Sequence, residues 1–330
     1  MTNRKTISVI MSNYNYGHWI GEALEAILTQ SFSPIDVIVI DDASTDNSVE
    51  VVEKLMKKYL NLCLLRNEKN IGGLLSVRRG LEVAKGEYVY SASSDDKVLP
   101  GFFEKSMCLL EKYPKAGLCC SDVEVLSENG DIHRVRSGLG LSPQYFDPAE
   151  SIRLFLKYAL PPMLPGTVIV KRSALDEAGG YMPDLKWTAD LFAHIVICSR
   201  YGFCYIPEAG TTVRVGAWQG GSVTGKWHVD RDIIKKAIEK VKTPRYKDVL
   251  PTFKRTAAFS QSSWEVLMVV MRNRDFWDFM SFRLLRFALF DKFVKRFFIK
   301  MLPPHLYMNI AEKVKRIIRK TPWRTRRRKD

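Results

Sequence analysis

Val37-Ile-Val-Ile40 is a run of four consecutive β-favouring apolar side chains, closed by Asp36 on one side and Asp41-Asp42 on the other. A strand without a polar face must be covered on both faces, a condition met in a parallel sheet layered between helices. The flanking sequence supplies such a sheet. Ile7–Met11, Cys63–Leu65 and Tyr88–Tyr90 read as its other strands. Helical spacing runs over Trp19–Gln30, with Ile20, Leu24, Ile27 and Leu28 on one side. Further helices are expected over about Asn47–Tyr59, Leu74–Ala84 (stopped by Lys85-Gly86) and Gly101–Lys112. Alternating strands and helices imply parallel pairing through right-handed crossovers, and such sheets bind ligands beyond the carboxyl ends of their strands.

From about Ala116 to Val215 the rhythm changes. Short strands are expected around Leu118, Val168 and Tyr205, and helices near Ala149–Ala159 and Ala189–Arg200. Pro161-Pro162 and Pro165-Gly166 mark a rigid loop. Beyond Thr224 the pattern is mainly helical, aromatic and basic, and no internal repeat is present.

Charge separates two regions. Up to Leu250 there are 31 basic and 30 acidic side chains, whereas Pro251–Asp330 carries 20 basic and 6 acidic ones. A near-neutral body speaks against a nucleic-acid partner and for a small ligand, with the basic end as a docking device. The six cysteines form no CxxC pair, which argues against a zinc or dithiol site, and most lie in apolar runs as buried free thiols. The N-terminus lacks a signal-peptide apolar core, and no apolar run reaches the roughly 18 residues that span a bilayer. A cytoplasmic, reducing location is therefore expected.

Polar residues gather where an α/β sheet places its site. Ser12-Asn-Tyr-Asn15 follows the first strand, Asp41-Asp-Ala-Ser-Thr-Asp46 the second, and Ser93-Ser-Asp-Asp96 the fourth. Each has a plainer reading. Asp41–Ser48 offers caps for the next helix, and Asp95-Asp96 suits an ordinary turn. Capping accounts for one aspartate but not for an adjacent pair, and three polar tips along one sheet edge make a coherent site.

In order and spacing, Ile7-Ser-Val-Ile-Met-Ser-Asn-Tyr-Asn15, Val37-Ile-Val-Ile-Asp-Asp-Ala-Ser-Thr-Asp46, Asn70-Ile-Gly72, Ala84-Lys-Gly-Glu-Tyr88 and Asp95-Asp96 resemble the family 2 glycosyltransferases. The resemblance is strong over about residues 6–126. It continues more weakly to about Thr224 through Gly179-Gly-Tyr181, Ala189-Asp190, Tyr201-Gly-Phe203 and Pro207-Glu208. It implies the GT-A fold, a Rossmann-like, mainly parallel sheet flanked by helices, over residues 1–225. The nucleotide-sugar half would take about 1–126 and the acceptor half about 127–225, followed by a helical, basic C-terminal region over 226–330.

The resemblance also implies inverting transfer of a sugar from a nucleotide-diphosphate donor, a UDP-sugar by the same likeness. Ser12 and Tyr14 match positions that hold the nucleoside, and Asp42 matches the aspartate that pairs with the base N–H. Gly72 falls in a loop near the base, although a glycine is also a plain helix-start breaker. Asp95 and Asp96 match the acidic pair that contacts ribose and the divalent metal, with Asp96 the metal ligand. Asp190 matches the catalytic base, although a carboxylate in a helix's first turn also favours the dipole.

The chemistry makes the same demands. A sugar diphosphate leaves readily when a hard cation, Mg²⁺ or Mn²⁺, neutralises it, and one aspartate suffices if phosphate oxygens complete the coordination. A carboxylate must take the acceptor hydroxyl's proton.

Ser93 stands where the family often has a further aspartate, and Ala189 where many members have glutamate. The Gln-x-x-Arg-Trp motif of processive synthases is absent, which favours transfer of a single sugar to a lipid-linked or surface-glycan acceptor. Arg214 and Ser222-Val-Thr224 fall where similar proteins have a donor-side loop, whereas His18 and His228 read as surface or helix-end residues. A nucleotidyltransferase would carry a Gly-rich basic loop after the first strand. A non-catalytic nucleotide-binding scaffold would not need Asp42, Asp96 and Asp190 together.

Phe287, Phe290, Val294, Phe297, Phe298 and Met301 share one side of a helical wheel, opposite Lys292, Lys295, Arg296 and Lys300. With the terminal Arg324-Thr-Arg-Arg-Arg-Lys329 this is the pattern of a helix in an anionic membrane interface. Packing on the catalytic domain, or a homo-oligomer seam, is the other reading. The expectation is a peripheral enzyme on the inner face of the cell membrane.

Overall fold

The computed structural model describes residues 5–127, 129–158, 163, 166–214, 230–256 and 263–289. The chain divides into two compact units, residues 1–152 with 161–228 and residues 153–160 with 229–330.

The first unit opens with β1 (Ile7–Asn13), α1 (Gly17–Leu28), β2 (Asp36–Asp41), α2 (Ser48–Met56), β3 (Leu62–Arg66), α3 (Gly73–Val83) and β4 (Tyr88–Ser93). β2 is buried along its whole length, as a run without a polar face requires. β1 pairs in parallel with both β2 and β4, and β2 with β3, so these carboxyl ends point the same way. Then come β5 (Lys97–Val98), α4 (Phe102–Lys112), β6 (Leu118–Leu126), β7 (Ile132–Val135), β8 (Gln144–Phe146), α5 (Pro148–Tyr158), β9 (Val168–Lys171), α6 (Arg172–Glu177), α7 (Ala189–Tyr201) and β10 (Phe203–Arg214).

The sheet order is β3-β2-β1-β4-β9-β6-β10-β5, with β7 on β6 and β8 on β10. The expected α/β sheet is present, and the change of rhythm after Ala116 has a structural meaning. β9 lies antiparallel between β4 and β6, while β10 runs parallel to β6. The sheet is therefore parallel across β3, β2, β1 and β4 and mixed beyond them. Cys119, Cys120, Cys198 and Cys204 are buried free thiols, Cys63 is half-buried and Cys108 exposed.

The second unit contains α8 (Arg231–Val241), α9 (Leu250–Thr256), α10 (Ser263–Arg272) and α11 (Phe282–Leu289), with 3-10 turns at Pro244–Tyr246 and Arg274–Phe279. No described helix is long and apolar enough to cross a membrane. Phe287 is half-buried, with the Arg283 guanidinium 5.3 Å from its ring centroid. The rest of the basic amphipathic segment, the terminal basic run, His228 and Ser222-Val-Thr224 lie outside the described residues.

The Ala84–Tyr88 motif has a packing reason. Gly86 N donates to Ser8 Oγ at 2.7 Å, laying the turn before β4 directly on β1. A Cβ on Gly86 would sit 2.4 Å from Ser8 N and 2.7 Å from Tyr88 O, both backbone atoms that cannot step aside. Gly86→Ala should therefore destabilise the protein by about 1–3 kcal/mol, the usual cost of overpacking. Denaturant unfolding measures this, and an unchanged midpoint would refute the close approach.

Candidate active site

The strand ends of β1 and β2 carry buried polar groups that satisfy one another. Asn13 Nδ2 donates to Asp41 Oδ1 at 3.0 Å and to Ser44 Oγ at 3.1 Å. Asp41 Oδ2 accepts from Ser44 N at 3.0 Å. Asp46 accepts from Gly17 N at 2.8 Å and from Ser48 N at 3.0 Å, so it serves the first turns of both α1 and α2. The capping expected of this loop thus falls to Asp46.

Asp42 has a different task. Its Oδ1 accepts from Asn67 Nδ2 at 2.7 Å and Ile71 N at 2.9 Å, and its Oδ2 accepts from Gly72 N at 2.8 Å. Three of a carboxylate's roughly four acceptor sites are filled by the loop before α3, leaving one for a further donor such as a base N–H. Gly72 has φ +90°, which a side chain rarely adopts, and a Cβ there would meet open space. Ser12 lies beside it, its Oγ 3.4 Å from where a Cβ on Gly73 would stand. Tyr14 is 45% exposed. The structure thus gathers Ser12, Asp42 and Gly72 at the carboxyl ends of β1 and β2, with Tyr14 on the loop that leaves β1.

The turn after β4 is tied to this group, because Ser94 Oγ donates to Ser12 O at 2.8 Å. Asp96 is buried, and its Oδ1 accepts from Arg214 N at 3.1 Å. Burial first, and the adjacent Asp95 charge second, push its pKa from 3.8 to about 7, opposed by hydrogen bonds from Arg214 N and the Ser93 hydroxyl and by the Arg214 charge. Tyr16 is also raised, by burial and then by the charges of Asp95 and Asp96.

Arg214 sits in the site, but its side chain turns onto the fold. Its Nε donates to Asp95 O at 2.7 Å, its Nη2 pairs with Glu22, and its guanidinium lies 3.9 Å from the Trp19 ring centroid. It acts as a strut between the acidic turn and α1.

No three His, Cys, Asp or Glu side chains cluster as metal ligands among the described residues. The acidic turn nonetheless suits a hard cation that takes its other ligands from a bound diphosphate. Asp96 is an oxygen ligand that makes no salt bridge among the described residues, although the Arg214 charge acts on it, and it faces a glycine and a hydroxyl. A Cβ on Gly166 would stand 3.6 Å from Asp96 Oδ2 and 3.8 Å from Thr211 Oγ1, a buried hydroxyl without a hydrogen-bond partner.

Asp190 stands in a second cluster, in the first turn of α7, where its Oδ1 accepts from Leu191 N at 2.7 Å. It is exposed, and its charge acts on the buried Tyr181 hydroxyl and on His194, one turn along the helix. Burial lowers the His194 pKa while the Asp190 charge opposes the shift, and Nε2 is buried without a partner. The Tyr181 and His194 rings meet edge-on at 6.2 Å between centroids. His18 is an exposed surface residue.

Sequence reasoning missed Tyr16, Asn67, Tyr181 and His194. Asn13-Tyr-Asn-Tyr16 gave a signal for the first of these and Gly179-Gly-Tyr181 for the third; Asn67 meets its partner Asp42 25 residues away, and His194, one turn from Asp190, gave only a lone histidine in an apolar helix. Asn15, Ala43 and Lys186 are the non-glycine residues with positive φ among those described, and each lies within four residues of a candidate site residue. Backbone strain of this kind gathers at functional sites.

The model of the family described as Glycosyl transferase family 2 matches residues 8–179, just over half of the sequence. The chain belongs to glycosyltransferase family 2. It is 31% identical over 209 residues to the uncharacterized glycosyltransferase YibD of Escherichia coli K12, covering 61% of this chain and 60% of that protein. It is 38% identical over 98 residues to the glycosyltransferase GlyG of Streptococcus pneumoniae serotype 4, covering 30% and 33% respectively. The chain thus spans a third to three-fifths of these relatives' lengths. A crystal structure of S. aureus TarS 1-349 in complex with UDP-GlcNAc shares the fold, with a TM-score of 0.62 over 86% of this chain and 84% of that one, at 18% identity.

Two outcomes are expected. Asp42→Ala strands three donors, each costing about 1–3 kcal/mol if it stays buried. It should lower thermal stability as well as nucleotide affinity, and calorimetry on both would expose a variant that loses neither. Asp96 binds its proton more tightly when folded, so the metal-free fold loses stability as pH rises from about 4 to about 7. Asp96→Asn should flatten that decline in chelator-treated protein, measured by unfolding across the same window. Parallel wild-type and variant curves would exclude the raised pKa.

Proposed function

We propose that the protein is an inverting glycosyltransferase that moves one sugar from a UDP-sugar to a hydroxyl of a glycan or lipid-linked acceptor, in surface polysaccharide or glycoconjugate synthesis. The observation that carries this reading is Asp96, a buried carboxylate beside a second one in the turn after β4; Asp96 makes no salt bridge among the described residues and keeps its proton to near neutral pH although the Arg214 charge opposes this. A nucleotide diphosphate with a divalent ion fits that arrangement. TarS, whose structure contains UDP-GlcNAc, lends the uridine part of the reading.

The nucleoside rests on Ser12 and Tyr14, with its base N–H directed to the open acceptor site of Asp42 and its edge passing over Gly72. Asp95 takes the ribose. Asp96, with diphosphate oxygens, holds Mg²⁺ or Mn²⁺, which when bound neutralises the charge on the departing diphosphate. Asp190, exposed at the start of α7, accepts the proton of the acceptor hydroxyl as the new C–O bond forms. The bond from the anomeric carbon to the diphosphate breaks on the opposite face, so the anomeric configuration inverts. Tyr181 and His194 hold the polar surroundings of Asp190. Arg214 keeps the acidic turn seated. The basic C-terminal region brings the enzyme to the anionic inner face of the cell membrane.

The test is donor turnover by the full chain across nucleotide sugars with Mn²⁺ or Mg²⁺, with product configuration read by proton NMR. Asp96→Ala should abolish metal-dependent turnover with the fold intact. Asp190→Asn should retain donor binding while transfer falls by about 10²-fold or more, the scale of general-base catalysis. Retention of configuration, or near-normal transfer by Asp190→Asn, would overturn the assignment.

A further inference from the structure

The second unit shows apolar side chains to solvent in a way the first does not. α11 is apolar on two sides. Leu284 and Ala288, one turn apart, are buried, while Phe282, Leu285 and Leu289 form a separate stripe at i, i+3 and i+7 and are exposed, Phe282 by 66%. The 3-10 turn before it does the same. Phe276 and Phe279 point inward, whereas Trp277 is 57% exposed and Met280 is also exposed. With Met271 at the end of α10, six exposed large apolar residues fall within Met271–Leu289, on α10 and the two elements that pack on it. The remaining eight in the described structure are spread over residues 14–141. Scattered apolar residues need no explanation, but a concentration of them marks an interaction surface.

We propose that Met271–Leu289 is an insertion face for an anionic lipid bilayer. Charge selects this occupant. Arg272 and Arg274, both exposed, precede Trp277 in sequence, with the exposed Asp275 between them and it, so the segment's own charge stays net positive. The nearby Asp278 is already neutralised by Lys242 at 3.3 Å and Lys254 at 2.6 Å. The 41 residues that follow Leu289 carry 14 basic and 3 acidic side chains. A second copy bringing the same basic segment to the face would be repelled, whereas an anionic surface is attracted by both these arginines and that segment. Trp277 joins a large apolar ring to one N–H donor, the combination favoured at a membrane boundary. The face rests on the membrane placement proposed above and gives it particular side chains, distinct from the Phe287–Met301 stripe; it is independent of the transfer chemistry.

Co-sedimentation of the full chain with phosphatidylglycerol-containing vesicles, and with pure phosphatidylcholine vesicles, tests it. Trp277→Ser, Phe282→Ser and Leu285→Ser are combined in one variant, with its thermal unfolding measured alongside. Because all three side chains are exposed, the fold should hold, while partition onto the anionic vesicles falls on the order of tenfold or more through lost apolar burial. The residual binding should vanish in high salt, and donor turnover in solution should be unchanged. If the triple variant melts early, Phe282→Ser alone gives the same reading with a smaller fall. Wild-type partition by the variant would assign membrane binding to the basic segment alone and overturn the insertion face. Equal wild-type binding to both vesicle types, or none to either, would also overturn it. So would a solution dimer that the variant dissociates, which makes a second copy the occupant. Loss of donor turnover with vesicle binding intact would count against the glycosyltransferase reading and leave the face standing.

Discussion

A carboxylate withdrawn from water at the end of a parallel strand has to be met by hydrogen-bond donors, and the loops of this sheet are arranged to supply them. Asp41 fastens the β1 and β2 ends through Asn13 and Ser44. Asp46, itself exposed, receives the free N–H groups that open α1 and α2. Asp42 collects the loop between β3 and α3 by taking Asn67, Ile71 and Gly72. The shape of this sheet edge follows from these three residues. Between them they draw backbone from the segments before α1, α2 and α3 to the same edge, and Gly72 takes its left-handed conformation to deliver its N–H to Asp42.

Asp96 breaks the pattern. It too is buried, but burial and the neighbouring Asp95 outweigh the hydrogen bonds it receives, so its proton is held to near neutral pH. The imbalance leaves Asp96 with acceptor capacity that a fully satisfied carboxylate lacks. Ser93, where the family often has aspartate, lessens the repulsion, because its hydroxyl favours the charged form of Asp96. Arg214 contributes geometry more than neutralisation. It spans Asp95 O, Glu22 and Trp19, locking the acidic turn to α1 from 118 residues away along the chain.

The candidate site residues and the excess of positive charge occupy different stretches of sequence. The near-neutral region up to Leu250 contains every candidate site residue, while the excess of positive charge follows it. Within the second unit, α10, the 3-10 turn and α11 bury Phe276, Phe279, Leu284 and Ala288, leaving Trp277, Phe282 and Leu285 outside. A helix apolar on two sides suits a place between two apolar media: its own core and something else.

The strands were readable because burial on both faces leaves an uninterrupted apolar run, as in Val37–Ile40, and the helices because their apolar residues return every three or four positions. Ser12, Asp42, Asp95 and Asp96 were readable because strand ends in such a sheet converge on one edge whatever the loop lengths. Tertiary structure decided the rest. β9 enters antiparallel between β4 and β6, which a four-residue apolar strand cannot announce, since its neighbours are chosen by packing. That Asp42 orders the Asn67–Gly72 loop and that Arg214 turns inward onto Trp19 were invisible for the same reason. Periodicity records which side of an element faces away from water. Which distant residue lies against that side is set only when the chain closes.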